Sequence, residues 1–438
     1  MLDIKFIREN KEELKRAIKN KNVSLDIDEL ISLDKKRIDL LQEIEKLNAQ
    51  KNDLNEEIKK SKNDADRKAI IERGKDVKDK ISKIEPEFKE VSQKFDELMV
   101  KVPTIPSADT PLGKNDEDNV EIMHWGEPKK FDFTPKDHIQ LGKDLDIIDL
   151  EKGAKVAGYR GYFLKNDGAA LVMAMMMYAI NKMIQKGYKP FLPPTLVKGF
   201  ALFGSGYFKG LDYDPEVDEI YQVASSDKEI SGEKSKDQKF LVGTAEPSLL
   251  AYYSDEILKE SDLPIKIFGF SQCYRSEIGS YGKDTKGMYR VHEFMKVEQV
   301  IISKADIEES NKLQGEMLDV AKEIHEELGL PYRIIQICTG DMSPGKYRAF
   351  DIEAWLPGTK RWAETGSASN FLDWQARRLN VKYIDKDGEK KYAYLLNDTV
   401  LPSVRPFLAI LENYQQADGS IVVPEVLRPY MGGKEIIR

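Results

Sequence analysis

The chain reads YRSEIGSYGKDTKGMYRVHEFMKVE at residues 274–298, and this stretch predicts two β-strands joined by a long loop that carries glycines and lysines. Arg275 lies where the first strand ends, and Arg290 lies where the second begins. Guanidinium groups suit phosphate oxygens because they give paired, charge-assisted hydrogen bonds. Phe294, on the second strand, is suited to stack on a purine ring. The stretch therefore indicates a platform for a phosphorylated purine.

The alternation of side chains predicts that the second strand has two faces of different character. The functional face carries Arg290, His292, Phe294, Lys296 and Glu298. The apolar face carries Val291, Met295, Val297 and Ile301. Taken alone, this pattern also fits an amphipathic hairpin with a solvated charged face. We expect His292 to be a hydrogen-bonding structural residue rather than a catalytic one.

These residues resemble motif 2 of the class II aminoacyl-tRNA synthetases, in the version that seryl-tRNA synthetases carry. The matching parts are Arg275-Ser276-Glu277, the loop at 279–287, and the pattern Arg-x-His-x-Phe-x-Lys-x-Glu from Arg290 to Glu298. The resemblance extends over essentially the whole chain. It implies an α+β fold: an N-terminal antiparallel two-helix coiled-coil arm, then a class II catalytic domain built on an antiparallel β-sheet flanked by helices.

Composition limits the kind of protein that this chain can be. Its 438 residues are 41% hydrophobic and 33% charged, which allows two or three domains. No apolar run is long enough to span a bilayer and residues 1–5 lack a signal-peptide layout, so we expect a cytoplasmic protein with no membrane partner. With two cysteines and four histidines, we expect neither a disulfide framework nor structural zinc. The net charge of −8 still allows a local basic stripe for RNA.

Residues 1–102 differ from the remainder of the chain by their heptad pattern. The first seam consists of Leu33, Leu40, Leu47 and Leu54. After a polar break near residues 61–66, the second seam consists of Val77, Ile81, Ile84, Phe88, Val91, Phe95 and Leu98. This spacing predicts two long helices in an antiparallel hairpin, the second kinked at Pro86.

The predicted hairpin is neutral, because residues 31–100 contain 17 Lys and Arg against 17 Asp and Glu. A solvated rod that acts as a spacer or binds a partner would have this pattern. The resemblance implies instead an arm, at residues 31–100, that grips the long variable arm of tRNA(Ser), with tRNA(Sec) as a further candidate. A proline-containing linker at 103–119 then leads to the catalytic domain at 120–438.

Two further segments match the family in order. A helix at about 169–186 and the segment 187–194 after it resemble motif 1, which implies a homodimer formed through this part of the chain. Thr244-Ala245-Glu246 resembles the loop that holds serine in this family. A hydroxyl and a carboxylate are the groups that the ammonium group of an amino acid needs.

Residues 364–370 resemble the family segment Glu-x-x-Ser-x-Ser-Asn, whose Glu and Ser help to hold the Mg²⁺ that accompanies ATP. Glu364 and Ser367 match those two positions. Mg²⁺ favours a carboxylate and a neutral oxygen, with phosphate and water completing its shell. Thr365 and Gly366 depart from the family, which more often has an apolar residue followed by serine.

Residues 396–415 resemble motif 3, a strand that enters a helix whose arginine, here Arg405, reaches the ATP phosphates. Asp398, Pro402 and Pro406 stand where the family usually has small residues. Proline at 406 disfavours the helical conformation at Arg405 and removes a backbone hydrogen bond, so we expect the helix to start later or to kink. The charge of Asp398 would weaken ATP binding unless it is turned away.

The resemblance assigns roles to individual residues. Arg275 holds the α-phosphate of ATP, while Arg290 and Arg405 hold the outer phosphates. The other implied ATP contacts are Ser276, Glu277, Phe294, Glu364, Thr365, Gly366 and Ser367. The implied serine contacts are Thr244, Ala245, Glu246, Glu298, Asn397 and Thr399. We expect Glu298 and Thr399 to read the serine hydroxyl, while Thr244 and Glu246 hold the ammonium group.

The implied activity is ATP-dependent formation of seryl-adenylate and transfer of serine to tRNA, catalysed by positioning and charge stabilisation. Two alternatives stay open at this point. A synthetase-like paralogue would pass a small amino acid to something other than tRNA, although such relatives lack the long arm. A coiled-coil scaffold that has lost catalysis would explain the altered motif 3.

Overall fold

The computed structural model describes residues 1–224, 227–228, 231–233, 235, 237–278 and 286–438. The predicted loop of motif 2 therefore lies largely outside the described residues, at 279–285. The described chain divides into two compact units. One unit joins Leu2–Lys19 to Val23–Val102, and the other contains Met1, Asn20–Asn22 and Pro103–Arg438.

The first unit is helical. Its helices are α1 (Ile4–Glu9), α2 (Lys11–Asn20, whose last residue belongs to the other unit), α3 (Ile27–Lys60) and α4 (Asp64–Met99). The two long helices pack against each other along their length, which confirms the predicted helical hairpin. The start of each long helix is capped by a side chain that accepts hydrogen bonds from backbone N–H groups, Asp26 for α3 and Asn63 for α4.

The seam of the hairpin is apolar near its middle and partly charged near its base. Leu47 and Leu54 of α3 pack with Val77 and Ile81 of α4. Nearer the base the buried carboxylate of Asp34 pairs with Arg37, 3.0 Å away, and also with Arg8. The Arg37 guanidinium lies 4.5 Å from the centre of the Phe95 ring, and this contact accommodates an arginine in the seam. The bounds of α4 run without interruption through Pro86.

The second unit is an α+β domain, as predicted. Its helices are α5 (His138–Asp144), α6 (Leu150–Ala157), α7 (Asn166–Gln185), α8 (Gly199–Ser205), α9 (Glu246–Ala251), α10 (Ile307–Glu327), α11 (Trp374–Leu379) and α12 (Arg405–Tyr414). Short 3₁₀ helices lie at Asp116–Asp118, Glu260–Asp262 and Glu425–Met431.

The strands of the main sheet are β1 (Val120–Trp125), β4 (Lys189–Phe191), β9 (Ile265–Tyr274), β10 (Glu293–Ser303), β11 (Tyr332–Gln336), β12 (Arg348–Leu356), β13 (Arg361–Asn370) and β16 (Tyr394–Pro402). The other strands are β2 (Ile148–Asp149), β3 (Phe163–Leu164), β5 (Leu196–Lys198), β6 (Tyr221–Val223), β7 (Lys239–Leu241), β8 (Ile257–Lys259), β14 (Lys382–Ile384), β15 (Lys390–Tyr392), β17 (Ile421–Val422) and β18 (Ile436–Ile437).

Within the described residues the main sheet has eight strands in the order β1-β11-β12-β13-β16-β10-β9-β4. All neighbours are antiparallel except β4, which runs parallel to β9 at one edge. Along β10, Val297 and Ile301 join a core with α7, α10 and α12, while Val300 and Ile302 join a second core with α9 and α11. Strand β10 is therefore a central strand, buried on both faces over much of its length.

The start of α12 corrects the prediction made for motif 3. The helix neither starts after Pro406 nor kinks there; it begins at Arg405, and Pro406 occupies its first turn. The backbone N–H groups of a first helical turn have no partner within the helix, so proline loses nothing at this position.

In the described part of the chain, no helix combines the length and the apolar character that crossing a membrane requires.

Candidate active site

The ends of β9 and β10 hold the motif 2 arginines. Strand β10 begins at Glu293, so Arg290 and His292 precede it, whereas the sequence predicted them within the strand. The backbone N–H of Arg275 donates to the carbonyl of His292 across 3.0 Å, and His292 Nδ1 donates back to the carbonyl of Arg275 across 2.9 Å. His292 therefore ties the two strand ends together, which is a structural contact.

Motif 2, motif 3 and β13 enclose one cleft with an empty volume of about 520 Å³. Its lining includes these predicted ATP-site and serine-site residues: Arg275, Glu277, Arg290, Phe294, Glu364, Thr365, Gly366, Thr399 and Arg405. The predicted residues outside this lining are Ser276, Ser367, Thr244, Ala245, Glu246, Glu298 and Asn397. Residues that the sequence separates by up to 130 positions thus share one cleft.

Two arginines converge on one carboxylate at the motif 2 end of the cleft. Glu277 Oε2 lies 3.3 Å from Arg290 Nη1 and 3.4 Å from Arg160 Nη1. The Arg275 guanidinium lies 5.4 Å from the centre of the Phe294 ring. Arg160, between α6 and β3, was missed by sequence reasoning, because no quoted motif contains it.

At the motif 3 end, Arg405 pairs with Glu364. Arg405 Nη1 donates to the Glu364 carboxylate across 3.1 Å and to its carbonyl across 2.8 Å. The same guanidinium lies 4.5 Å from the centre of the Tyr289 ring. Burial by itself would raise the pKa of Glu364, but Arg405 and Arg275 hold it below its ordinary value. Glu364 is therefore ionised beside two cations.

Asp351, on β12, is an acidic neighbour of the cleft residue Glu364 to which the sequence analysis gave no role. It lies opposite Ser367 across the β12–β13 pair, and the Ser367 side chain hydrogen-bonds to it. Burial, and then the charge of Glu364, raise its pKa to about 7. Its alternation with Glu353, now seen along β12, was the available signal.

Among the described residues, no group of three or more His, Cys, Asp or Glu side chains is arranged to hold a metal ion. Glu364, Asp351 and Ser367 are neighbours on β12 and β13 and together offer two carboxyl groups and a hydroxyl. Such a set fits Mg²⁺, which usually takes one or two carboxylates and completes its shell with phosphate and water.

Gly366 and Thr365 occupy special places on β13. A Cβ added at Gly366 would lie 2.8 Å from Ile352 Cγ2 and 3.0 Å from the carbonyl oxygen of Thr399, so the close approach of β16 requires glycine. Thr365 lines the cleft, but its hydroxyl lies 2.7 Å from His325 Nε2 and 3.1 Å from the Ile352 carbonyl.

A buried polar cluster surrounds Glu246 at the start of α9. Its carboxylate accepts hydrogen bonds from Tyr207 Oη at 3.0 Å, Gln375 Nε2 at 2.6 Å and Asn397 Nδ2 at 2.8 Å. Burial, and then the charge of Glu298, raise the pKa of Glu246 to about 7. The sequence predicted Glu246 and Asn397, but Tyr207 and Gln375 stand outside the recognised motifs.

Beside this cluster, Glu298 and Thr399 meet, as the sequence reasoning expected of a hydroxyl-reading pair. Thr399 Oγ1 donates to Glu298 Oε2 across 3.1 Å. Lys296 joins them, with its Nζ 2.7 Å from Glu298 and 3.3 Å from Thr399 Oγ1. Thr244 precedes Glu246 by two residues. Its Oγ1 is buried and has no hydrogen-bond partner among the described residues.

Three other predicted positions have simple surroundings. Ala245 is fully buried, and a Cβ on Gly269 would lie 3.0 Å from its methyl carbon. The Ser276 hydroxyl is buried with no hydrogen-bond partner in the described part of the chain. Asp398 is fully buried away from the cleft lining and accepts a hydrogen bond from Gln299 Nε2 at 2.8 Å. Burial, and then the charge of Glu298, raise its pKa well above the ordinary value.

Comparison with known proteins decides the family. The model of the seryl-tRNA synthetase N-terminal domain matches residues 1–106, and that of the tRNA synthetase class II core domain (G, H, P, S and T) matches residues 221–414. A serine–tRNA ligase of Treponema denticola is 42% identical over 434 residues, 99% of each chain. This chain belongs to the seryl-tRNA synthetase family. The resemblance noted from the sequence is thereby confirmed.

Solved structures of this family share the fold over the full length. The crystal structure of the seryl-tRNA synthetase from Pyrococcus horikoshii complexed with ATP matches with a TM-score of 0.86 and 34% identity. The cytoplasmic serine–tRNA ligase from Naegleria fowleri in complex with AMP matches with a TM-score of 0.83 and 30% identity. Each match covers 100% of this chain and 99% of the other.

Proposed function

We propose that this chain activates L-serine with ATP and transfers the seryl group to the 3′ end of tRNA(Ser). Family membership supports this activity over the full length of the chain. The observation that carries it is the junction of two sites: the arginine-lined cleft and the buried carboxylate cluster meet at Lys296 and Thr399. An amino acid bound at the cluster would present its carboxylate to a nucleotide bound in the cleft.

The first step needs no covalent enzyme intermediate. An oxygen of the serine carboxylate attacks the α-phosphorus of ATP, the bond to the bridging oxygen breaks, and pyrophosphate leaves. Arg275 is proposed to stabilise the α-phosphate as charge develops, while Arg290 and Arg405 hold the outer phosphates and Phe294 stacks on adenine. The ion pairs of Arg290 with Glu277 and of Arg405 with Glu364 keep these cations oriented before phosphate arrives.

We place Mg²⁺ at Glu364 and Ser367, as the sequence reasoning did, and add Asp351. Mg²⁺ neutralises phosphate charge when bound. Burial, and then the charge of Glu364, raise the pKa of Asp351, and two such coupled carboxyl groups fit a nearby cation. Arg405, paired with Glu364, then lies beside the same phosphates.

Serine is proposed to bind with its ammonium group near Glu246 and Thr244 and its hydroxyl near Glu298 and Thr399. The buried carboxylate of Glu246 accepts hydrogen bonds from three neutral groups. The ammonium group of a bound serine would therefore be the first cation in direct contact with it. The orphaned Thr244 hydroxyl supplies one more acceptor. Alanine would leave the Glu298–Thr399 pair without its partner, which penalises binding more than a loss of packing does.

In the second step, the terminal ribose hydroxyl of tRNA attacks the seryl carbonyl carbon, the bond from that carbon to the phosphate oxygen of AMP breaks, and the hydroxyl proton passes to water as AMP leaves. We propose that residues 31–100 grip the long variable arm of tRNA(Ser), and tRNA(Sec) stays a further candidate. The proposed modules are the arm at 1–102, the linker at 103–119 and the catalytic domain at 120–438. The neutral hairpin favours recognition by shape with a few basic contacts.

We propose that the chain forms a homodimer through motif 1, because α7 exposes apolar side chains. Its side chains Met173, Met177 and Ile184 are 65%, 49% and 49% exposed, and Leu192 after β4 is 86% exposed. Contiguous apolar exposure of this kind is typical of an association surface. We keep the cytoplasm as the proposed location.

The deciding experiment is ATP–pyrophosphate exchange with each amino acid, followed by tRNA charging. Serine-dependent exchange and serylation of tRNA(Ser) are the expected results. Exchange without charging of any tRNA would favour the paralogue, and no exchange would favour the scaffold. The altered motif 3 was the one argument for the scaffold hypothesis. It carries less weight now, because Arg405 begins α12 and lines the cleft.

A further inference from the structure

A β-bulge lies in the wall of the cleft, at Thr365. Across the β12–β13 pair, Gly366 lies opposite Ile352 and Glu364 lies opposite Glu353, so Thr365 has no partner residue of its own. Bulges redirect the side chains beside them and disrupt the local ladder. Here both neighbours of the bulged residue line the cleft.

The Thr365 side chain is held from behind the sheet by α10. His325 is fully buried, and its Nδ1 lies 2.7 Å from the Ala321 carbonyl. Because a carbonyl only accepts, Nδ1 carries the hydrogen; because burial lowers the pKa of His325 to about 4, the ring is neutral at pH 7. Nε2 is therefore an acceptor, and the single hydroxyl hydrogen of Thr365 goes to it across 2.7 Å in preference to the Ile352 carbonyl, which lies farther away at 3.1 Å.

We propose that His325 is a positioning residue for ATP binding, acting through the Thr365 hydroxyl to fix the bulge that presents Glu364 to Arg405. This inference rests on the proposed function. Arg405 bonds both the carboxylate and the carbonyl of Glu364, so its orientation depends on where the backbone runs at that residue. The hydrogen bond to His325 fixes the backbone one residue further along.

The contact between His325 and Thr365 should affect the nucleotide side of the cleft more than the binding of serine. Thr365 adjoins Glu364 directly, whereas its link to the serine pocket runs only through the packing of Gly366 on the Thr399 carbonyl. A loosened bulge should therefore alter the response to ATP and Mg²⁺ before it alters the response to serine.

The test is Thr365→Val, which keeps the shape and deletes the donor. In ATP–pyrophosphate exchange we expect KM for ATP and the Mg²⁺ concentration at half-maximal rate to rise about 5- to 20-fold, with KM for serine changed less than about twofold. Thr365→Ser should recover most of that loss. Thr339→Val is the matched control, because it deletes another buried hydroxyl, bonded to Gly113, outside the cleft.

His325→Leu provides a second, independent variant, and the double variant closes a cycle. If the two residues act as one unit, Thr365→Val adds less than about twofold to the ATP defect of His325→Leu. A Thr365→Val enzyme with a lowered Tm but native ATP and Mg²⁺ responses would overturn the inference, as would additive defects. Absence of serine-dependent exchange in the native chain would instead overturn the proposed function.

Discussion

The side-chain amide of Asn397 donates to the carboxylate of Glu246 across 2.8 Å, although 151 residues separate them. This bond joins the motif 3 strand β16 to the start of α9. The proposed serine pocket is thus assembled from two distant segments, and the ionisation of the Glu246 carboxylate at its centre can be measured in solution.

Serine binding should weaken as pH falls through about 7. The ammonium group needs ionised Glu246, whose pKa is raised to about 7 by burial and then by the charge of Glu298. KM for serine in exchange should rise several-fold between about pH 8 and about pH 6, with KM for ATP changing less. Glu246→Gln should raise KM for serine about 10- to 100-fold and remove this pH dependence. A native profile that stays flat over the range would contradict the assignment.

The same pKa shift has the opposite sign for stability. The folded chain binds the proton of Glu246 more tightly than the unfolded chain does, so this group contributes stability that is fully present below the ordinary pKa of 4.5 and is lost as pH rises from there through about 7. Thermal unfolding of Glu246→Gln should therefore vary less with pH across that window than unfolding of the native chain. Equal pH dependence in the two proteins would mean that Glu246 titrates normally.

Arg275→Ala should lower the exchange rate by about 10²-fold or more, because it removes a charge-assisted contact that strengthens as the α-phosphate reacts. Arg377→Ala is the matched control: its guanidinium lies 4.5 Å from the centre of the Tyr392 ring but lines no part of the cleft. Exchange kinetics with saturating serine and ATP measure the effect. Near-native turnover in Arg275→Ala would remove motif 2 from the mechanism.

Thr399→Val should reduce the preference for serine over alanine by about 10-fold or more. The change keeps the side-chain shape but deletes the hydroxyl that donates to Glu298 and accepts from Lys296. The measurement is kcat/KM in exchange for both amino acids. If the ratio of the two values equals that of the native chain, another residue reads the serine hydroxyl.

Shortening the hairpin should separate activation from transfer. Lys36 of α3 and Glu87 of α4 lie 2.7 Å apart, so residues 38–85 can be replaced there by a short turn without changing the base of the hairpin. Exchange should stay within about twofold of native, while KM for tRNA(Ser) rises at least about 100-fold, or about 2.8 kcal/mol. A tRNA with a short variable arm serves as the control substrate. Unchanged charging of tRNA(Ser) would rule out the arm as its binding module.

The double substitution Met173→Lys and Met177→Lys should convert the proposed homodimer to a monomer, because two charges would be buried at the interface. Sedimentation measures the change. Leu112→Lys is the control, since Leu112 is 75% exposed but lies outside motif 1. Dissociation of the control, or a double variant that sediments like the native chain, would contradict the proposed interface.

Local sequence patterns predicted what depends on local chemistry. The heptads predicted the hairpin, and long motifs predicted Arg275, Glu364 and Arg405, which share the cleft. The error at Pro406 arose because the cost of proline depends on its distance from the helix start, and that start is set by the packing of β16 and α12.

The residues that sequence reasoning missed come from segments without a motif. Tyr207 and Gln375 reach Glu246 only because α8, α9 and α11 pack together, and Arg160 reaches Glu277 from the turn after α6. His325 is one of several polar residues on an amphipathic helix. Its contact with Thr365 depends on the placement of α10 against β13. No spacing along the chain encodes such contacts.

Strand β16, between β13 and β10 in the main sheet, has a consequence for how the protein is made. It is the last strand of this sheet to leave the ribosome, yet it is the one that joins β1-β11-β12-β13 to β10-β9-β4. Until residues 394–402 emerge, the nascent chain holds two half-sheets whose open edges, β13 and β10, carry unpaired backbone groups that invite mispairing. Nucleotide binding and closure of the sheet should therefore arise together, late in synthesis, and a ribosome stalled before β16 should present a second unit whose main sheet is open and which cannot bind ATP.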